Sequence, residues 1–150
     1  MVFEKTYLKQ TLETLPANKT PEWGNMTPQH MVEHLGFAVQ LSNGKRTHAL
    51  ITPEEKVERA KARMLSEEWQ MPVNFKAGFL PEEGLVPLTF DSLDAAIAAL
   101  MTEIDDFYQY YQENPEKTTI HPYFGNLNHA EWEINHHKHF QHHLKQFGLL

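Results

Sequence analysis

Cysteine is absent from the 150 residues of this chain. That excludes disulfides, thiolate metal sites and a cysteine nucleophile, so any bound metal has to take nitrogen or oxygen ligands. Long apolar runs are missing as well. Nothing approaches the roughly 20 consecutive apolar residues needed to cross a bilayer, and the most apolar stretch, Leu93 to Met101, is interrupted by Asp94. The first residues, MVFEKTYLKQ, lack the basic start and apolar stretch of a secretory signal, so a cytoplasmic protein without membrane contact is expected. Positive charge is also in short supply. Lys and Arg number 13 against 20 Asp and Glu, a formal charge of −7, and the interspersed signs leave no basic face of the kind that tracks nucleic acid. A length of 150 residues suits one domain spanning 1–150 with one core.

What is present is helical periodicity. Tyr7, Leu8, Leu12 and Leu15 form one stripe over residues 3 to 15, with Pro16 as the stop. Thr27 followed by Pro28 gives an N-cap and first-turn proline, and the inward residues Met31, Leu35, Ala38 and Ser42 continue the helix to Asn43-Gly44. The run Thr52-Pro53-Glu54-Glu55 reads as an N-cap, proline and capping-box glutamate, which predicts a short, charged surface helix to about Leu65. Prolines and glycines recur from Trp69 to Phe90, which predicts a long irregular connection, either a lid or a plain surface loop. After Asp91-Ser92, one apolar stripe runs from Leu93 through Ile97, Leu100, Ile104 and Phe107 to Tyr111. Asn128 with Glu131 has capping-box spacing and opens a last helix that runs to Gly148. Long helices with little strand signal predict an all-α four-helix bundle, with the short helix and the Pro/Gly-rich loop inserted across one end.

The compositional bias that remains is histidine. On the last helix, at about 100° per residue, Trp132, His136, His139, His143 and Phe147 fall within roughly 80° of each other, on the face that must pack inward. An imidazole buried there without a partner is costly. His139 and His143, four residues apart, can aim two nitrogens at one point, and His34 on the second helix supplies a third ligand from the facing element. His30, one turn earlier, is the reserve ligand. Gln146 is placed to orient a ligand or a water. His136 reads either as a group behind the ligands or as a packed, hydrogen-bonded histidine; His121 reads either as lining the site mouth or as shaping the turn into the last helix. Glu33 points away from His34 on the wheel and reads as surface. His137, His142, His129 and His48 are expected in solvent, and Trp23 and Trp132 as pocket walls or packing anchors.

The pieces WGNMTPQHMVEHL (23 to 35), HPYFGNL (121 to 127) and HFQHHLKQFGL (139 to 149), in this order and spacing, resemble a DinB-like protein, specifically an uncharacterised branch with an HPYFG-type segment before the last helix. The resemblance implies a four-helix bundle, often dimeric, with a three-histidine metal site whose ligands fall on His34, His139 and His143. Some members of the superfamily are metal-dependent transferases or isomerases that use a low-molecular-weight thiol, while the branch itself implies no substrate.

Three imidazoles with an open fourth position form a catalytic kind of site for a divalent metal, zinc or nickel foremost, with iron and manganese also compatible. Such an ion could activate a water or a thiol, and the thiol would be a cosubstrate because the chain has none of its own. Three functions follow: a thiol-dependent transferase or a hydrolase acting on a small molecule, a non-catalytic metal- or ligand-binding bundle, and an interaction module with a vestigial site. They predict, respectively, a pocket reaching an open site, a closed site, and histidines hydrogen-bonded to protein groups.

Overall fold

The computed structural model describes residues 4–73, 75–81 and 83–150. Residue 3, where the first helix is expected to start, and residues 74 and 82 of the expected loop lie outside the described residues. The described residues form five helices and one small hairpin and are about half helical: α1 Lys5–Glu13, α2 Pro28–Ser42, α3 Glu54–Leu65, α4 Leu93–Glu113, β1 Thr119–His121, β2 Gly125–Leu127 and α5 His129–Gln146.

The starts of the three longest helices are written in the sequence. Thr27, Ser92 and Asn128 each accept a hydrogen bond from a backbone N–H of the first turn, and Asn128 and Glu131 complete the reciprocal capping box of α5. Each such cap contributes about 1 kcal/mol. The expectation for α3 was different in one respect. Thr52 does not cap it; Pro53 occupies the N-cap without a side-chain bond. The reason is tertiary, because the backbone N–H groups of Ile51 and Thr52 both donate to the Pro122 carbonyl, at 2.7 and 3.4 Å, which fixes this segment against the hairpin before the helix starts.

The helices are neighbours in the order α1, α4, α2, α5, α3. The core between them is formed by Leu8 and Leu12 of α1, Met31, Val32 and Leu35 of α2, Ile97, Leu100 and Phe107 of α4, and Trp132, Phe140 and Leu144 of α5. From α3 only Met64 is fully buried, which agrees with its charged sequence. No helix among the described residues is long and apolar enough to cross a membrane.

The all-α expectation is corrected to mostly α by the hairpin. Thr119 pairs with Leu127, Ile120 with Asn126 and His121 with Gly125, antiparallel, around the turn Pro122-Tyr123-Phe124. Strands of three residues are too short to show the alternation that identifies a strand in sequence. Three-residue turns commonly need a glycine with positive φ to close, and Gly125 has φ of +71°. It is also where the hairpin meets α3: a Cβ on Gly125 would stand 2.6 Å from Val57 Cγ1. Gly125→Ala is therefore expected to destabilise the protein by about 1 to 3 kcal/mol through backbone strain and overpacking. Urea denaturation checks this, and an unchanged midpoint would count against the close approach.

The irregular connection expected from Trp69 to Phe90 is present between α3 and α4, and its far end is tied down. The Glu33 carboxylate accepts from the Thr89 N–H at 2.9 Å and the Phe90 N–H at 2.9 Å, while Gln29 Nε2 donates to the Phe90 carbonyl at 2.6 Å. Burial works against ionisation of Glu33, but the backbone donors outweigh it and lower its pKa. Glu33 is thus an anchor for the loop and not an idle surface group.

Candidate metal centre

Helices α2 and α5 bring His34, His139 and His143 to one point. Their nearest ring nitrogens all lie within 4.8 Å of one another. The Nε2 atoms of His34 and His139 are 3.0 Å apart, and those of His139 and His143 are 3.1 Å apart. His139 and His143 are buried, and His34 is half-buried. The four-residue spacing on α5 brings the first two rings together edge to face, with centroids 4.8 Å apart, and Leu35, fully buried beside His34, sets the rotation of α2 that turns His34 towards them.

Gln146 decides the protonation of this group. Its Nε2 donates to the Trp23 carbonyl at 3.0 Å, so its Oε1 must face His143 Nδ1, 2.7 Å away, and accept a hydrogen bond from it. In neutral His143 the proton is therefore on Nδ1, and Nε2 presents a lone pair. Only a proton on His139 Nε2 could bridge to it. That nitrogen then has no lone pair left for His34, and one N–H directed to His143 cannot also point at His34. The two N···N contacts cannot both be full hydrogen bonds. Gly24 permits the close passage of the Trp23 backbone: with φ of +75°, it holds a position where a Cβ would lie 3.1 Å from Gln146 Nε2.

The rings are neutral at physiological pH. Burial, with a contribution from the nearby His142, pushes His34 down to about 4, and burial together with the neighbouring imidazoles holds His139 and His143 well below the usual histidine value. Neutral imidazole is the form that ligates metal. A tetrahedral ion bound at 2.0–2.1 Å would place its nitrogens about 3.3 Å apart, close to the contacts of 3.0 and 3.1 Å, with the third pair within 4.8 Å. The three residues that could hold a metal ion are His34, His139 and His143.

A cavity of about 310 Å³ opens on the three histidines. One side is formed by Trp23, Phe37 and Trp132, another by His121, Pro122 and Tyr123 of the hairpin, and its cover by Met71, Phe75, Phe79 and Leu80 of the long loop. The loop is held there by the Gly78 N–H, which donates to the Tyr123 hydroxyl at 2.5 Å, and by an edge-to-face contact of Phe75 with Tyr123. A second cavity of about 490 Å³ shares His34, Phe37, Phe79 and Leu80 with it.

The other histidines are placed as follows. His30 stays with its own cap, its Nδ1 2.6 Å from Thr27 Oγ1, and does not join the three. His136 lies stacked between Trp132 and Phe140 and donates from Nε2 to Ser42 Oγ at 2.7 Å, since that hydroxyl's own proton goes to the Val39 carbonyl. It is a packed core histidine. Both readings of His121 hold: it accepts from the Tyr123 N–H at 3.0 Å inside the turn and also lines the cavity. Of the histidines expected in solvent, His129 instead stacks on Tyr111, and His142 sits between Trp23 and the Met71 backbone. Apolar neighbours outside the helix, invisible on a wheel, cover both.

Sequence reasoning missed Asn135. It is 2% exposed and lines the cavity. The signal was available, because Asn135 falls about 40° from His139 on the wheel.

Residues 78–148 match a family described as a protein of unknown function (DUF1569). The matched part holds Asn135, His139, His143 and Gln146; His34 lies outside it. No curated protein and no solved structure matches the chain.

Burial makes a pH dependence inevitable. His34 titrates near 4 and His121 and His136 near 3 in the fold, against about 6.5 in the unfolded chain. The unfolded state binds more protons between these values, so stability is full above pH 6.5 and falls on acidification towards 4, by about 1.4 kcal/mol per pH unit for each such histidine. Urea denaturation of the metal-free protein at pH 7, 5.5 and 4.5 is expected to show this decline. A flat profile would mean that the imidazoles are not buried as described.

Proposed function

We propose that this chain is a metal-dependent enzyme of the DinB-like kind, a four-helix bundle of α1, α2, α4 and α5 with α3 and the long loop added, acting on a small molecule. His34, His139 and His143 hold one divalent ion, zinc or nickel, through their Nε2 atoms. The observation that carries this reading is the pair of N···N contacts at 3.0 and 3.1 Å, which a single shared proton cannot satisfy and one cation can. Three protein ligands leave a tetrahedral ion one position short, as in catalytic sites and unlike closed structural ones.

An ion held there supplies Lewis acidity, which lowers the pKa of a water or thiol placed against it. The chain's own residues do the rest. Gln146 fixes the His143 tautomer and ring direction through the Trp23 carbonyl. The aromatic walls and the loop cover exclude bulk water and leave space for a substrate beside the three nitrogens. With no cysteine in the chain, transfer chemistry would use a low-molecular-weight thiol as cosubstrate, and hydrolysis would use water. A non-catalytic metal-binding bundle is the rival reading; the cavity beside the histidines favours the enzyme.

Untagged protein purified without chelators is expected to contain about one zinc or nickel per chain by elemental analysis, and His139→Ala to contain almost none at unchanged helicity. Gln146→Leu is expected to weaken metal affinity by about 10- to 100-fold, the usual cost of losing the group that orients a ligand histidine. Equal metal content in wild type and His139→Ala would refute the site.

A further inference from the structure

The larger cavity, of about 490 Å³, reaches His34 from the side of α4. Along α2 its wall runs through His34, Phe37 and Gln40, and α4 closes the opposite side with Ala96, Ala99 and Glu103. Its two α-helical carboxylates are already engaged. Glu33 accepts from the backbone N–H groups of Thr89 and Phe90. Glu103 accepts from Gln40 Nε2 at 2.8 Å, Asn43 Nδ2 at 2.9 Å and Lys45 Nζ at 2.9 Å.

Arg46 lines the same cavity from its exposed rim and is held in place without being neutralised. Its backbone N–H donates to the Gln40 carbonyl at 3.0 Å, its Nε donates to Gln40 Oε1 at 2.5 Å, and its guanidinium lies over the Phe37 ring, 5.3 Å from the centroid. Gln40 is not free to turn, because its Nε2 is committed to Glu103. The guanidinium is therefore fixed by the ring beneath it and by its Nε, and the edge that carries the two Nη groups remains as a planar fork. No ion pair among the described residues includes Arg46.

We infer that Arg46 anchors the carboxylate end of a small molecule whose apolar body lies along Phe37 and Phe79 in the larger cavity and whose other end reaches His34. The inference deepens the enzyme reading above by naming the substrate class of that site. Two parallel N–H donors match the two oxygens of a carboxylate, and a guanidinium stacked on an aromatic face loses little freedom in binding them. One guanidinium balances one charge, whereas a phosphate monoester brings close to two into a cavity that Glu33 and Glu103 also line. The Phe37 and Phe79 rings, 5.5 Å apart, supply the apolar wall between the two ends. Gln40 follows His34 by six residues, roughly 9 Å along the helix axis, which sets the approximate length of the ligand.

The test is calorimetric titration of the full chain with 4-phenylbutyrate, 4-phenylbutan-1-ol and 4-phenylbutylamine, which share one body and differ in the end group. Metal-free protein is used, since a carboxylate also coordinates a metal ion; zinc uptake is measured separately on the same variants. Wild type is expected to bind phenylbutyrate about three- to tenfold more tightly than the alcohol, and the amine more weakly still. Raising the salt to about 0.3 M is expected to weaken phenylbutyrate and leave the alcohol in place. Arg46→Gln is expected to bind the acid no better than the alcohol, to lose the salt dependence, and to take up zinc as wild type does. Arg46→Lys, with the charge but not the fork, is expected to recover part of the affinity. Unchanged phenylbutyrate affinity in Arg46→Gln would overturn the anchor, as would an equal loss for the alcohol, which marks general damage to the cavity. Amine binding as tight as that of the acid, tighter binding of 3-phenylpropyl phosphate, or no binding of phenylbutyrate to wild type at millimolar concentration would each overturn the ligand class. Failure of wild type to take up zinc defeats the metal reading alone, because the Arg46 comparison is made without metal.

Discussion

Three imidazole nitrogens face one another in a buried pocket with one proton too few to join them. Everything else about this molecule is arranged around that fact. Gln146 is held by a backbone carbonyl on one side and therefore dictates the His143 tautomer on the other. Burial keeps all three rings neutral, so charge repulsion does not push them apart. A fold selected for stability alone would be expected to replace such a cluster with apolar side chains, which fill the same space without the desolvation cost.

The architecture serves that point economically. The long contact of α2 with α4 and the packing of α2 on α5 fix the distance between His34 and the α5 pair, because helix axes in contact are held 8 to 10 Å apart by their side chains. The hairpin is a small element with two roles. Its Pro122 carbonyl receives the segment entering α3, and Tyr123 pins the covering loop over the cavity. Glu33, adjacent in sequence to His34, anchors the other end of the same loop. The cover is therefore tethered at two places to the elements that build the site. Exposed apolar side chains collect on it, with Val73, Phe75, Val86, Leu88 and Phe90 all at least 39% exposed, and all but Leu88 line one of the two cavities.

Much of this was legible in the sequence, for identifiable reasons. The caps at Thr27, Ser92 and Asn128 depend on local chemistry, and local chemistry is what a sequence displays. The trio His34, His139 and His143 could be named because helical periodicity converts spacing into direction. The misses have the opposite character. Thr52 lost its capping role to a bond that its backbone N–H donates to the carbonyl of Pro122, seventy positions away along the chain, and no local pattern reports that. The strands at 119–121 and 125–127 are too brief to alternate visibly. His129 and His142 were misplaced because the wheel of α5 does not show that Tyr111 or the loop at Met71 lies against its flanks. Asn135 was overlooked for a different reason: attention to histidines passed over an amide on the same face.

The central claim concerns three specific nitrogens, so the most direct measurement observes them individually. In nitrogen-15 NMR of the histidine side chains, titration with zinc is expected to shift the Nε2 resonances of His34, His139 and His143 together, complete at one equivalent, while His136 and His30 stay in place. Shifts confined to other histidines, or none at all at one equivalent, would contradict the account.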